Sequence, residues 1–247
     1  MPTGPRVEDE EGLIISGFGA LSPAEFHNYT ETAQRFLASA YDSVEELLKT
    51  LTMFREWRRF EGQSLRGRLT QNEEDLLRAA ILFTGAGLDA TLKQVVRDTL
   101  VYLVEVNAQA EEKFKQYASG ALLDGGDVSF KKLASFLIAR NPRQALIEGY
   151  IGFLTAPSLQ SAEQVGNVIS ALGIDRPDLR RRVNALRPLF VARNQIAHEL
   201  DLQRPERPSD KHRRTRRIHE SRRLAHEGLE VGQLIINEVV SLLGGAS

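Results

Sequence analysis

The sequence predicts an all-α protein: a helical bundle with a long N-terminal helix and an inserted set of short helices. Apolar residues recur at three- and four-residue steps along most of the chain, which is the period of an amphipathic helix. Capping residues, glycines and prolines divide this pattern into successive segments. A short apolar run at residues 13–15 could form a strand, but the glycines after it favour a strap lying on the bundle.

The composition is that of a globular protein and excludes several kinds of chemistry. Of 247 residues, 42% are hydrophobic and 26% are charged, which suits one large domain or one domain with an extension. The absence of cysteine excludes disulfides, thiolate metal sites and cysteine nucleophiles. The net charge of -1 predicts no polyanionic partner, so any such partner must be recognised locally.

Neither a membrane segment nor a signal peptide is evident. No apolar run approaches the ~20 residues that span a bilayer. The acidic N-terminus lacks the basic and apolar regions of a signal peptide. We therefore expect a cytoplasmic protein with no membrane partner, beginning with a flexible or strap-like arm over residues 1–21.

Residues 22–69 are predicted to form the long N-terminal helix and a linker. Ser22 offers an N-cap hydroxyl, Pro23 suits the first helical position, and Glu25 completes a capping box. Basic and aromatic residues alternate at and after the expected helix end: Arg55, Trp57, Arg58, Arg59, Phe60, Arg66 and Arg68. Such a surface can bind phosphates and stack bases; the alternative is a solvated helix end with its aromatic rings packed inward.

Residues 70–243 are predicted to form a second helical region. Its first helix should open at Thr70 and Glu73, which suit a helix start. Gly85 and Gly87 lie inside that helix, where glycine costs about 1 kcal/mol relative to alanine. They therefore predict a close helix contact or a kink.

An insert of several short helices follows, over residues 107–175. Glycine, proline and capping residues bound its segments. The insert could add specificity, a substrate channel or a partner surface. We predict helices over residues 107–120, 128–139, 142–156 and 161–172.

A motif helix is predicted over residues 176–202 and a C-terminal helix over residues 209–243. Pro188 lies inside the motif helix, where it removes a backbone donor and clashes with the preceding turn. A break or kink is therefore expected immediately before the residues that carry the chemistry.

Those residues are Arg193, Asn194 and His198, in an apolar setting. Histidine exchanges protons near neutral pH, and the planar guanidinium of arginine matches a phosphate, so the pair suits phosphoryl transfer from a ribose hydroxyl. A five-residue step turns about 140° round an ideal helix. The two side chains meet only if the helix bends or ends between them, if Arg193 reaches round, or if a second subunit completes the site. The alternative is a surface arginine beside a capping or core histidine.

The run Arg193-Asn194-x-x-Ala197-His198 near a helix end resembles the HEPN superfamily, of the R-x4-H endoribonuclease type, with the RiboL-PSP-like branch as one candidate. The resemblance covers roughly residues 70–243 and implies a HEPN-like helical core. It implies that His198 moves protons, Arg193 neutralises the transition state, and Asn194 orients the substrate or the opposing motif.

The same resemblance implies a function and a set of partners. The function is cleavage of RNA by 2′-OH transesterification, without metal or other cofactor, in a toxin or antiphage-defence effector. The partners are the RNA substrate, a second copy that forms a homodimer with a composite active site, and an antitoxin or defence-system protein. Some HEPN toxins carry a tyrosine two residues after the histidine, where AMP is attached; here that residue is Leu200, so this control is not supported.

A basic run follows the motif. Nine basic residues stand against three acidic ones between residues 204 and 223, a local net charge of +6. Phosphate neutralisation is the main source of sequence-independent affinity for nucleic acid, and the alternative is a solvated loop and helix start. The candidate RNA-binding residues are Lys211, Arg213, Arg214, Arg216 and Arg217.

Other chemistries lack their sequence signals. His219 and His226 share a helix face but no metal-ligand pattern accompanies them. Glycine-rich phosphate loops and a nucleophile elbow are missing from the sequence. The hypothesis that competes with an endoribonuclease is a non-catalytic HEPN-like module that binds RNA or scaffolds a partner.

Overall fold

The computed structural model describes residues 18–65, 69–123, 134–136, 138–207, 209 and 211–245. These residues divide into two compact units. The first unit comprises residues 18–22, 37–88 and 186–230. The second unit comprises the described residues within 23–36, 89–185 and 231–245.

The described residues form an all-α fold, as the hydrophobic periodicity predicts. A 3-10 turn at Asn28–Thr30 precedes the helices. They are α1 (Glu31–Phe60), α2 (Gln71–Val106), α3 (Ala108–Leu123), α4 (Pro142–Thr155), α5 (Ala162–Ala171), α6 (Pro177–Ala185), α7 (Arg187–Glu199) and α8 (Ile218–Gly244). Over the same described ranges, none of these helices combines the length and the apolarity that crossing a bilayer requires.

The first helix begins at Glu31 and not directly after Ser22, so the predicted start is wrong. The backbone N–H of Ser22 donates to the carboxylate of Glu230 at 2.9 Å, and its hydroxyl donates to the same carboxylate. Glu25 likewise donates its backbone N–H to Oδ1 of Asn237, at 3.0 Å. Both expected capping residues are therefore held by partners on α8, more than 200 positions away in the sequence.

The start of α2 is the predicted one. The backbone N–H of Glu73 donates to the hydroxyl of Thr70 at 3.3 Å, and the N–H of Thr70 donates back to the Glu73 carboxylate at 2.7 Å. This reciprocal pair is a capping box. The helix continues through Gly87 without a break, and a Cβ at that glycine would lie only 2.2 Å from Cβ of Ala40 on α1. Glycine is therefore required there by close helix packing.

The predicted motif helix is two helices, α6 and α7, separated at Leu186. Pro188 occupies the second position of α7, where its missing N–H costs no helical hydrogen bond. The break that proline predicted is therefore confirmed, two residues before the proline itself.

The core of the first unit is built by α7 and by the parts of α1, α2 and α8 that belong to this unit, which are residues 37–60, 71–88 and 218–230. Gly228 on α8 allows close packing, since a Cβ there would lie 2.7 Å from Leu189 and 2.8 Å from Thr84. Large side chains fill the interior: Leu37, Val44, Leu77, Ile81, Leu88, Leu189, Phe190, Leu224 and Leu229.

The described part of the predicted arm, residues 18–21, lies as a strap within the first unit. The ring of Phe18 is 5.1 Å from Tyr41 and 5.8 Å from His226, and Nε2 of His226 contacts the carbonyl of Ala20 at 3.1 Å. Residues 1–17, including the apolar run at 13–15, lie outside the described residues.

The second unit contains the insert, in which α3 packs against α4 and α5, and α5 packs against α6. The predicted starts of α4 and α5 are confirmed, because Asn141 and Ser161 cap them through their side chains. Gly120, expected to end α3, lies inside it. Of the helix predicted over residues 128–139, residues 134–136 are helical and most of the others lie outside the described residues.

Candidate active site

The side chains of Arg193 and His198 meet on α7. Nη1 of Arg193 lies 3.5 Å from Nε2 of His198. Because α7 runs unbroken between the two residues, the arginine side chain must reach round the helix. This is one of the three ways in which the sequence allowed the two side chains to meet. The contact is longer than an ordinary hydrogen bond of about 2.7–3.2 Å. His198 is exposed, so its ring is accessible to a substrate and is not a core histidine.

Two neighbours define where the Arg193 side chain lies. Nη1 donates to Oδ1 of Asn194 at 3.2 Å, so the residue after the arginine orients its guanidinium. On α2, a Cβ at Gly85 would lie 2.9 Å from Cγ of Arg193. The close contact predicted at Gly85 is therefore confirmed, and the side chain that approaches it belongs to the motif.

The backbone directly after His198 has an uncommon conformation. Leu200 (φ +50°) and Asp201 (φ +59°) both lie in the left-handed region, which non-glycine residues seldom adopt. The N–H groups of both residues donate to the carbonyl of Gln195, that of Asp201 at 2.9 Å. These bonds satisfy a helical carbonyl and end the last turn of α7.

The carboxylate of Asp201 is fully buried and is held by two arginines. Arg78 on α2 donates Nε to it at 2.7 Å. Arg216 donates Nε at 2.9 Å and also Nη2. A buried charge is tolerated only when it is paired and hydrogen-bonded, and the two guanidinium groups meet both conditions.

Arg78 also joins other segments to α2. Its Nη2 donates to Glu74 and to the backbone carbonyl of Arg214, both at 2.8 Å, and its Nη1 donates to Asp75 at 2.9 Å. Burial alone would lower the pKa of Arg78, but hydrogen bonds to its three carboxylate partners raise the pKa above the ordinary value. The guanidinium that holds Asp201 is therefore charged at neutral pH.

The basic segment folds back along the residues that follow α7. The N–H of Arg214 donates to the carbonyl of Asp201, and the N–H of Gln203 donates to the carbonyl of His212, both at 2.8 Å. An isolated antiparallel bridge between Leu202 and Arg213 lies between these two bonds. We call this paired segment, residues 201–203 with 212–214, the ribbon.

The five residues expected to bind RNA fall into two groups. Lys211 and Arg217 are exposed. The other three are half-buried and form ion pairs: Arg213 with Asp75 at 2.6 Å, Arg214 with Glu199 at 2.9 Å, and Arg216 with Asp201. The Arg214–Glu199 pair is close but is not aligned as a hydrogen bond. Acidic residues outside the basic run therefore offset much of its local charge.

A polar cavity adjoins Lys211. It encloses about 270 Å³ and is lined by Leu69, Gln71, Glu74, Lys211, His212 and Arg213. In the wall of this cavity, Glu74 is paired with Arg78, and Arg213 is paired with Asp75. Among the described residues, no acidic side chain forms an ion pair with the ammonium of Lys211.

The aromatic and basic surface at the end of α1 is only partly available. Trp57 and Phe60 are 52% and 87% exposed, so their rings are not packed inward. Arg55 and Arg58 instead point to the buried carboxylate of Glu73, at 3.6 and 2.9 Å. Arg66 and Arg68 lie outside the described residues.

Sequence reasoning missed two residues that support this site, Arg78 and Gln195. Arg78 meets Asp201 across 123 positions, so no local pattern joins them. The sequence nevertheless indicated that Arg78 is buried, because it lies between the apolar, fully buried positions Leu77 and Ala80. An arginine on the core face of a helix requires an acidic partner.

Within the described ranges, no group of three or more histidine, aspartate or glutamate side chains is placed to hold a metal ion. Comparisons with protein-family models, curated proteins and solved structures found no match to this chain.

Proposed function

We propose that the chain is a cytoplasmic HEPN-type endoribonuclease that acts as a toxin or antiphage-defence effector. The observation that carries the proposal is the 3.5 Å approach of the Arg193 guanidinium to the imidazole of His198. An accessible acid–base group beside a permanent cation is the minimum that transesterification at a phosphodiester needs.

In the proposed reaction the 2′-oxygen of a ribose attacks the adjacent phosphorus. The 2′-O–P bond forms, the P–O5′ bond breaks, and the products are a 2′,3′-cyclic phosphate and a 5′-hydroxyl. Nε2 of His198 takes the 2′-proton or gives a proton to the leaving 5′-oxygen. Arg193 neutralises the phosphorane-like charge with the geometry that suits a phosphate, and Asn194 keeps its guanidinium oriented.

One histidine does not readily serve as base and acid in the same step, so we propose a homodimer in which two motifs form one site. The proposal is supported by the surface of α7. Val191 and Leu200 lie on either side of His198 in the sequence and are 56% and 67% exposed, which leaves apolar area available to a second copy. The Val191→Glu variant should lower both the dimer fraction in sedimentation and the rate of cleavage.

The direct test is cleavage of single-stranded RNA in EDTA. The wild-type chain should release 2′,3′-cyclic phosphate and 5′-hydroxyl ends. Arg193→Ala and His198→Ala should each lower the rate by about 10²–10⁴, the usual contribution of such groups. Matched controls are Arg187→Ala on α7 and His219→Ala on α8, both exposed and outside the pair. Cleavage at the wild-type rate by both motif variants would reject the proposal.

The alternative is a non-catalytic HEPN-like module that binds RNA or scaffolds a partner. It is favoured by the exposed rings of Trp57 and Phe60, since aromatic faces can stack on unpaired bases. It predicts salt-sensitive RNA binding, weakened by Trp57→Ala, with no cleavage in EDTA or in the presence of Mg²⁺.

A further inference from the structure

We infer that Asp201 and Arg216 are positioning residues of the proposed active site, holding the last turn of α7 so that His198 stays beside Arg193. This inference rests on the proposed function for its catalytic consequence. It reassigns Arg216, which the sequence places among the RNA-binding residues, to a role inside the protein.

Asp201 is anchored to α2 through Arg78. Asp201 follows His198 by three residues, is fully buried, and accepts Nε of Arg78 at 2.7 Å. Arg78 is itself fixed on α2 by Glu74, one turn earlier, at 2.8 Å. Because α2 is a continuous helix across this region, it supplies a rigid base to which the end of α7 is tied.

Arg216 bridges Asp201 and Gln195. Arg216 donates Nε to Asp201 at 2.9 Å and Nη2 to Oε1 of Gln195 at 3.2 Å. Gln195 lies on α7 between Arg193 and His198. One guanidinium therefore joins Gln195, just before the last turn of α7, to Asp201, two residues beyond the end of the helix.

The bridge formed by Arg216 restrains the end of α7. Helix ends fray, and the turn that carries His198 is followed by two left-handed residues, Leu200 and Asp201. Residues in sparsely populated backbone regions persist only when their surroundings hold them. Without the bridge, the last turn would loosen and the ring of His198 would move away from Arg193.

The expected effect is on the chemical step and not on RNA affinity. A misplacement of about 1 Å can lower a rate by about 10²-fold. Asp201 already neutralises the charge of Arg216. Replacing the guanidinium of Arg216 by the ammonium of lysine should therefore leave contacts with phosphate unchanged. Arg176 is the matched control, because it also forms ion pairs, with Asp178 and Glu238, but lies outside α7 and outside the basic segment.

The experiment measures single-turnover RNA cleavage by the full chain in the Arg216→Lys, Asp201→Asn and Gln195→Met variants, with Arg176→Lys as control. We expect the maximal rate of the three variants to fall by about ten- to hundred-fold with the half-saturating RNA concentration unchanged. The control should keep the wild-type rate. Because Gln195 is half-buried and uncharged, its variant keeps the test interpretable if the charge variants unfold.

Amide hydrogen exchange at Leu200 and Asp201 is the second measurement, since both N–H groups bond to the carbonyl of Gln195. Exchange should be faster in Arg216→Lys than in Arg176→Lys. Unchanged rates of cleavage and exchange in folded variants, or a weaker RNA affinity with an unchanged maximal rate, would overturn the inference. If the wild-type chain does not cleave RNA, the proposed function fails, and exchange alone decides whether the bridge holds α7.

Discussion

Gly85→Ala should reduce cleavage while leaving the fold intact, because the added methyl group meets the stem of Arg193 and little else. A Cβ at this position would lie 2.9 Å from Cγ of Arg193, whereas ordinary contacts begin at 3.4 Å. The stem must therefore move by about 0.5–1 Å to restore a normal apolar contact. That shift moves the guanidinium relative to His198.

The effects on stability and on rate can be separated. Alanine in place of an interior helical glycine gains about 1 kcal/mol, and overpacking costs about 1–3 kcal/mol where the neighbours cannot move. Here the neighbour is a flexible side chain, so we expect the free energy of unfolding to stay within about 1 kcal/mol of the wild type. The rate should nevertheless fall by about ten- to hundred-fold, because catalytic geometry is sensitive at this scale.

The assay compares single-turnover cleavage of RNA with urea unfolding of the same preparations. Gly166→Ala on α5 is the matched control, since a Cβ there meets nothing within 4 Å. It should gain stability and keep the wild-type rate. A Gly85→Ala chain that is folded and cleaves as fast as the wild type would show that the position of Arg193 does not limit the reaction.

Three further predictions concern charge and protonation. Lys211→Glu should weaken RNA binding and lower the slope of log affinity against log salt by about 1, as expected when one phosphate contact is lost; an unchanged slope in fluorescence anisotropy would contradict this. Arg78→Ala should lower the free energy of unfolding by about 3–5 kcal/mol, because it leaves buried Asp201 with one arginine; urea denaturation measures it, and a loss below 1 kcal/mol would refute the reasoning. Burial raises the pKa of Tyr150 to about 12, so its contribution to stability is complete below the ordinary pKa of 10.0 and is lost as pH rises towards 12. Tyr150→Phe should remove that part of the alkaline decline in unfolding free energy, and an unchanged decline would argue against it.

Local signals predicted the parts of the fold that are stabilised locally. The capping box of Thr70 and Glu73 needs only residues three positions apart, and it starts α2 where expected. The same logic failed at Ser22, because Glu230 competes for its hydroxyl from 208 positions away. A capping residue predicts a helix start only if no distant partner binds it first.

In the candidate site, too, the sequence predicts what depends on neighbouring residues and misses what depends on distant ones. The sequence names Arg193 and His198, but the reach of the arginine depends on space that Gly85 leaves on another helix. The basic run is visible as a charge excess, yet Asp75 lies 138 positions from its partner Arg213. Charge counted along the sequence overestimates the charge offered to a ligand when the counterions come from elsewhere in the chain.

The ribbon should allow the chain to tolerate cleavage of its backbone, or an insertion, between the two legs. Its two legs are joined by backbone hydrogen bonds on both sides of the bridge at Leu202, and each leg is also anchored by side chains, Asp201 to Arg78 and Arg213 to Asp75. Residues 204–207, which begin the connection between the legs, are exposed. Exposed connections are where proteolytic nicks and insertions are best accepted. We expect a chain nicked there to remain associated as two fragments, which makes these residues a suitable place for a reporter or a split-protein junction.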